Sequence, residues 1–167
     1  MYRRDSRQLK LGNILIGGGA PISVQSMTNT KTENVEATVK QINELTAIGC
    51  DVIRCAVPDF KAAQALSAIK EQISIPLIAD IHFDYKLALE AIASGVDGLR
   101  LNPGNIGGEE EVSQVIAKAS DRNIPIRIGV NAGSLPKDIL LKYGHTTQEA
   151  LVEANWRQIK ILEGHDY

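Results

Sequence analysis

Three arginines stand where a buried strand would ordinarily carry valine or isoleucine. Arg54 lies in Val52-Ile53-Arg54-Cys55-Ala56-Val57, Arg100 in Gly98-Leu99-Arg100-Leu101-Asn102, and Arg127 in Ile126-Arg127-Ile128-Gly129-Val130-Asn131. Burying a guanidinium costs on the order of several kcal/mol unless a carboxylate or another anion meets it. Its rigid fork of donors matches phosphate oxygens. Arginines at matching places in successive apolar runs therefore point to one shared anion, a phosphate or diphosphate. The competing reading gives each arginine its own core carboxylate, and Asp51, Asp80 and Asp97 are the candidates.

Asp80-Ile81-His82 is the second chemical signal. Strand alternation sends Asp80 and His82 to the same side. A carboxylate and an imidazole there suit acid–base work or the holding of a substrate hydroxyl; the plainer alternative is a helix-capping aspartate beside a surface histidine. Asn102 and Asn131 close their apolar runs, and each offers a donor and an acceptor. Gln25, Ser26 and Thr28 form a polar cluster that also suits a helix entry. Ser134, in the loop after Asn131, is a candidate phosphate ligand or a turn cap, whereas Gly104, Asn105, Gly107 and Gly108 read as turn chemistry. No third ligand accompanies Asp80 and His82 at zinc-site spacing, so no metal site is predicted. Cys50 and Cys55 read as small core residues. An iron–sulfur cluster needs about four thiolates, more than this sequence holds.

The elements that must carry these residues alternate. Leu9-Lys10-Leu11 and Ile14-Leu15-Ile16 flank Gly12-Asn13 as a small hairpin. Strands are predicted at 22–28, 52–57, 77–81, 98–102 and 126–131. Helices are predicted at 34–48, 59–72, 84–94, 109–120 and 147–162, with a short segment at 136–143. Strict alternation demands a parallel sheet covered by helices, as a doubly wound sheet or a (β/α)8 barrel. Gly17-Gly18-Gly19 precedes a strand, so it is no phosphate loop, and no G-x-G-x-x-G follows the first strand. Polar residues gathered at the C-terminal strand ends favour the barrel, whose sites are built there. A whole barrel needs eight units; five are legible, so a partial barrel within a longer protein is expected.

Composition sets the frame. The 167 residues are 44% apolar and 23% charged, with a net charge of −2. Such a balance gives no footing for nucleic-acid or membrane-surface binding, and any anion site must be local. No apolar run approaches the roughly 20 residues of a membrane span. With no secretory leader in view, a cytoplasmic setting is expected.

The motifs at 24–30, 52–58, 78–83, 99–105 and 128–135 together resemble the 4-hydroxy-3-methylbut-2-enyl diphosphate synthases, reductive iron–sulfur enzymes of isoprenoid biosynthesis by the methylerythritol phosphate route. The resemblance spans about residues 5–164. It implies a TIM barrel, with a hairpin segment at 1–21 and a partial barrel at 22–167. It further implies a C-terminal [4Fe-4S] domain whose cysteines lie beyond this chain, so that the chain alone binds no cluster and has no redox activity. The implied substrate is 2-C-methyl-D-erythritol 2,4-cyclodiphosphate. Arg54, Arg100 and Arg127 match the positions that hold its diphosphate, and Asn102, Asn131, His82 and Asp80 match positions around the same pocket. Flavodoxin or ferredoxin is the implied electron donor and a head-to-tail homodimer the implied assembly. The alternatives are a pterin-binding transferase barrel of the dihydropteroate synthase type and a non-catalytic remnant.

Overall fold

In the computed structural model, which describes residues 5–101, 106–165 and 167, β1 (Leu9–Leu11) and β2 (Ile14–Ile16) form the antiparallel hairpin. Five parallel strands follow: β3 (Gln25–Met27), β4 (Val52–Val57), β5 (Leu77–Ile81), β6 (Gly98–Leu101) and β7 (Ile126–Ile128). They are neighbours in chain order, β3-β4-β5-β6-β7. Helices α1 (Val35–Ala47), α2 (Phe60–Lys70), α3 (Tyr85–Ala93) and α4 (Glu109–Ser120) lie between successive strands. After β7 come a 3-10 turn (Ala132–Ser134), α5 (Lys137–Tyr143) and α6 (Gln148–Gly164).

Local chemistry sets the helix boundaries. The side chains of Asn34, Asp59, Asp84 and Thr147 accept backbone N–H bonds from the first turns of α1, α2, α3 and α6. Glu111 reaches back from α4 to the Gly108 N–H. Behind α1 and α3 the chain reverses at Gly49 (φ 96°) and Gly95 (φ 84°), a conformation that favours glycine.

Alternation divides the sheet into two unlike faces. Ile53, Cys55, Val57, Leu77, Ala79, Ile81, Leu99 and Leu101 join the helices in the main core. The opposite face carries Met27, Arg54, Asp80, Arg100 and Arg127. Its N-terminal end is covered by the hairpin, whose Leu11 and Ile14 pack on Val52 and Ile78. Gly98 makes room for that cover: a Cβ there would lie 2.6 Å from a Leu11 methyl. Each crossover steps one strand along in the same direction, with the helices packed on one face. This is the arc of a barrel, whereas a doubly wound sheet reverses its order and takes helices on both faces. The arc has five of a barrel's eight strands, with β3 and β7 as its edges. Among the described residues no helix is long and apolar enough to cross a membrane.

The elements match the predicted order; β4 and β5 have the predicted bounds, and β3 and β7 are shorter. β3 covers only the middle of predicted 22–28, because its ladder with β4 holds three pairs and Ile22 and Val24 are exposed. β7 stops at Ile128, since Asn131 already opens the 3-10 turn. Asn102, Gly104 and Asn105 lie outside the described residues. α6 runs to Gly164, two residues past its predicted end, and Ile161 and Leu162 pack against the main core. The segment at 136–143 is α5, which shares a second small core with α6 through Leu135, Ile139, Ala150 and Ala154.

Candidate functional site

The strand registers decide which polar side chains meet. Asp80 stands opposite Arg100, and Arg100 opposite Arg127, on one rung across β5, β6 and β7. Arg54 lies one layer nearer the N-terminal end of the same face, opposite Ile78 and Met27. Arg54 and Arg100 thus converge on a single carboxylate, with Arg127 beside Arg100 on the next strand. Asp80 is 3% exposed. Its Oδ1 accepts from Arg100 Nη1 at 3.0 Å, and its Oδ2 faces Arg54 Nε at 3.3 Å. His82 Nε2 stands 3.7 Å from Oδ1, too far for a direct hydrogen bond.

Each arginine is held differently. Arg100, 5% exposed, spans three strands, with Nη1 on Asp80 and Nη2 donating to the Gly129 carbonyl at 3.2 Å. Arg54 is partly open; its Nε and Nη2 also donate to the Met27 thioether at 3.3 and 3.2 Å. A thioether fixes direction without cancelling charge. Arg127 is exposed and makes no ion pair among the described residues. Partial desolvation lowers its pKa, the charges of Arg54 and Arg100 lower it further, and Asp80 opposes them. One carboxylate, paired with Arg54 and Arg100, thus stands against three guanidinium groups, an excess of two positive charges among these four side chains. A patch of this kind binds an anion by relieving repulsion as well as by donating hydrogen bonds.

The rival carboxylates are engaged elsewhere. Asp51 accepts the Val24 N–H at 2.7 Å, and Asp97 accepts the Leu77 N–H at 2.7 Å while pairing with Lys70. Of the other residues singled out in the sequence, Gln25 shares the arginine face, exposed at the edge strand, and Asn131 is exposed at the start of the 3-10 turn. Ser134 ends that turn. Ser26 and Thr28 are not brought to the arginines: they alternate onto the helix-covered face, where the Thr28 hydroxyl donates to Cys55 Sγ at 3.4 Å. The polar run 25–30 does not distinguish the two faces until the register is known. Sequence reasoning also missed Met27 and the Gly129 carbonyl. A glycine just past an arginine-bearing strand is a readable sign of close approach; a methionine in a strand gives no such sign.

The two thiols do not suit a cluster. Cys50 and Cys55 are buried, and Cys50 donates to the Val52 carbonyl at 3.2 Å. Burial raises the pKa of Cys55, with the Thr28 hydroxyl in partial opposition, so it stays a neutral thiol. Among the described residues no group of three or more His, Cys, Asp or Glu side chains is placed to hold a metal ion. The arginines also line neither of two sizeable hollows, one of about 630 Å³ beside Gly17 to Ser23 and one of about 710 Å³ between α5 and α6. They stand on the open face of the arc.

Residues 6–167 match the family model described as the GcpE TIM-barrel domain. The chain is 61% identical over 165 residues to 4-hydroxy-3-methylbut-2-en-1-yl diphosphate synthase (flavodoxin) of Thermodesulfovibrio yellowstonii, covering 99% of this chain and 47% of that protein. It is 59% identical over 165 residues to the protein of the same name in Geobacter sulfurreducens, again covering 99% and 47%. The chain spans about half the length of the curated relatives it matches. Among solved structures, 7,8-dihydropteroate synthase from Vibrio fischeri ES114 superposes with a TM-score of 0.64 at 12% identity, over 95% of this chain and 62% of that one. That likeness is one of fold alone.

Proposed function

The chain belongs to the GcpE family, and we propose that it is the substrate-binding barrel portion of a 4-hydroxy-3-methylbut-2-enyl diphosphate synthase. The ligand of the arginine face is the diphosphate of 2-C-methyl-D-erythritol 2,4-cyclodiphosphate. One observation carries this reading: Arg54 and Arg100 share the carboxylate of Asp80 while Arg127, on the next strand of the same sheet face, makes no ion pair among the described residues. A cyclic diphosphate esterified at both ends carries two negative charges, equal to the excess on that face. In this reading Arg127 and Arg54 meet the anion first and Arg100 backs them. His82, Asn131 and Asn102 attend the rest of the ligand, with Gln25 and Ser134 at the rim. Asp80 is the anchor that keeps the arginines apart and aimed.

The proposal extends to the setting. Flavodoxin or ferredoxin supplies electrons to a [4Fe-4S] cluster held outside these residues, in a homodimer working in the cytoplasm. No step through that cluster is assigned to this chain, whose part is to hold and orient the anion.

Calorimetric titration of the chain tests the reading. The cyclodiphosphate is expected to bind saturably and to weaken as salt rises, whereas uncharged 2-C-methyl-D-erythritol gives no heat. Equal binding of the two compounds, or full binding by the R54A/R127A variant, would sink it.

A further inference from the structure

Gly129 has no conformational reason to be glycine: it is absent from the positive-φ glycines, so its backbone is one that other residues adopt. Space is the reason instead. A Cβ at 129 would lie 2.3 Å from Arg100 Nε, 2.7 Å from Nη2 and 2.9 Å from Cζ. The guanidinium lies across the α-carbon of Gly129 while Nη2 bonds to that residue's carbonyl oxygen. A second observation agrees. Among the described residues Arg100 Nε is buried without a hydrogen-bond partner, in a residue only 5% exposed. A buried donor left unpaired is costly, and Arg100 keeps this pose because the Asp80 and Gly129 bonds hold its two ends.

We propose that Gly129 is a positioning residue: by lacking a side chain it lets Arg100 lie across the chain just past β7, clamped between Asp80 and the Gly129 carbonyl. The clamp sets where the positive charge of the site sits. Any side chain at 129 forces the guanidinium off the strand. Asp80 is then left to Arg54, and the spacing between Arg100 and Arg127 is lost. The consequence for ligand affinity rests on the anion-binding reading above; the consequence for Arg100 does not.

A double-mutant cycle on the full chain separates the two. Unfolding midpoints are measured for wild type, G129A, R100A and G129A/R100A. Alanine for glycine at a compatible backbone position ordinarily stabilises, because it restricts the unfolded chain. G129A is therefore expected to lower the midpoint when Arg100 is present and to leave it equal or higher when residue 100 is alanine. In 15N spectra the Nε–Hε signal of Arg100, slow to exchange in wild type, is expected to be lost or to exchange rapidly in G129A. Affinity for the cyclodiphosphate is expected to fall at least about fivefold in G129A and not to change between R100A and the double variant. Folding of the double variant where G129A alone fails to fold counts as the same support. Equal destabilisation in both backgrounds, failure of both G129A and the double variant to fold, or an unchanged Arg100 signal in G129A overturns the proposal. If wild type binds no cyclodiphosphate, the anion reading fails, while the midpoints and the Arg100 signal still decide the role of Gly129.

Discussion

Two charged clusters in this molecule are built on opposite plans. On the α5–α6 hairpin, Lys142 and Arg157 face Glu153 and Asp138, so cations and carboxylates are matched and the group is largely exposed. On the sheet face, Arg54 and Arg100 share the buried Asp80, and Arg127 stands beside them with no ion pair among the described residues. The first plan fastens one helix to another and asks for nothing more. The second leaves charge over, at a place the sheet holds rigidly, and that surplus needs a guest. Charge balance, more than the presence of ion pairs, separates a structural cluster from a binding one.

The comparison breaks most visibly at Asp80. D80N removes the shared carboxylate while keeping its shape, leaving the buried Arg100 without a counter-charge. Loss of one partner from a buried pair costs about 3–5 kcal/mol, so chemical denaturation is expected to show a steep fall in stability. Removing a carboxylate from the matched exposed cluster, as in E153Q, is expected to show far less, since such pairs contribute little. Equal effects would mean that the two clusters are not different in kind. A smaller expected effect sharpens the contrast. R127A removes the arginine that repels its neighbours and forms no ion pair among the described residues. Its stability is expected to be unchanged or raised, while the dissociation constant for the cyclodiphosphate rises about tenfold, near 1.4 kcal/mol. Lower stability with unchanged affinity would make Arg127 a structural residue.

How much of this was legible in the residue order differs between the clusters. Arginines inside apolar runs were visible because a central strand has no other use for them, and the period of strands and helices placed them on neighbouring units. Asp80 stood out beside His82, but that it is the carboxylate Arg54 and Arg100 share was not visible: Asp51 and Asp97 were equal candidates, and only register puts Asp80 on the rung of Arg100. Register also sends Ser26 and Thr28 to the far side of the sheet, because a one-residue step reverses the face. Strand lengths were overestimated where β-prone residues such as Ile22 and Val24 continue past the last partner. The matched α5–α6 cluster left no sign at all, since charged residues on helices are usual wherever a face meets water.

The matched cluster has its own signature, the smallest of the three and the cleanest to assign. The Glu153 carboxylate accepts from Lys142 at 2.7 Å, the Tyr143 hydroxyl at 2.8 Å and Arg157 at 3.0 Å. Those bonds, that from Lys142 foremost, pull its pKa from an ordinary 4.5 down to about 2. A carboxyl whose pKa is depressed by folding adds stability above its unfolded value and loses it as pH falls towards the folded one. The contribution of Glu153 is therefore whole above about pH 4.5 and fades between there and about 2. Trp156, the chain's single tryptophan, lines the α5–α6 groove beside Glu153 and reports on it. Its emission is expected to change across that window, to change less in 1 M salt because the cluster is exposed and screened, and to lose the transition in E153Q. Saturating cyclodiphosphate should leave the transition where it is, because α5 and α6 are fastened by matched charges that an anion on the sheet face does not touch. A transition that persists in E153Q, or moves with the ligand, would show that the two clusters are coupled and that charge balance alone does not tell them apart.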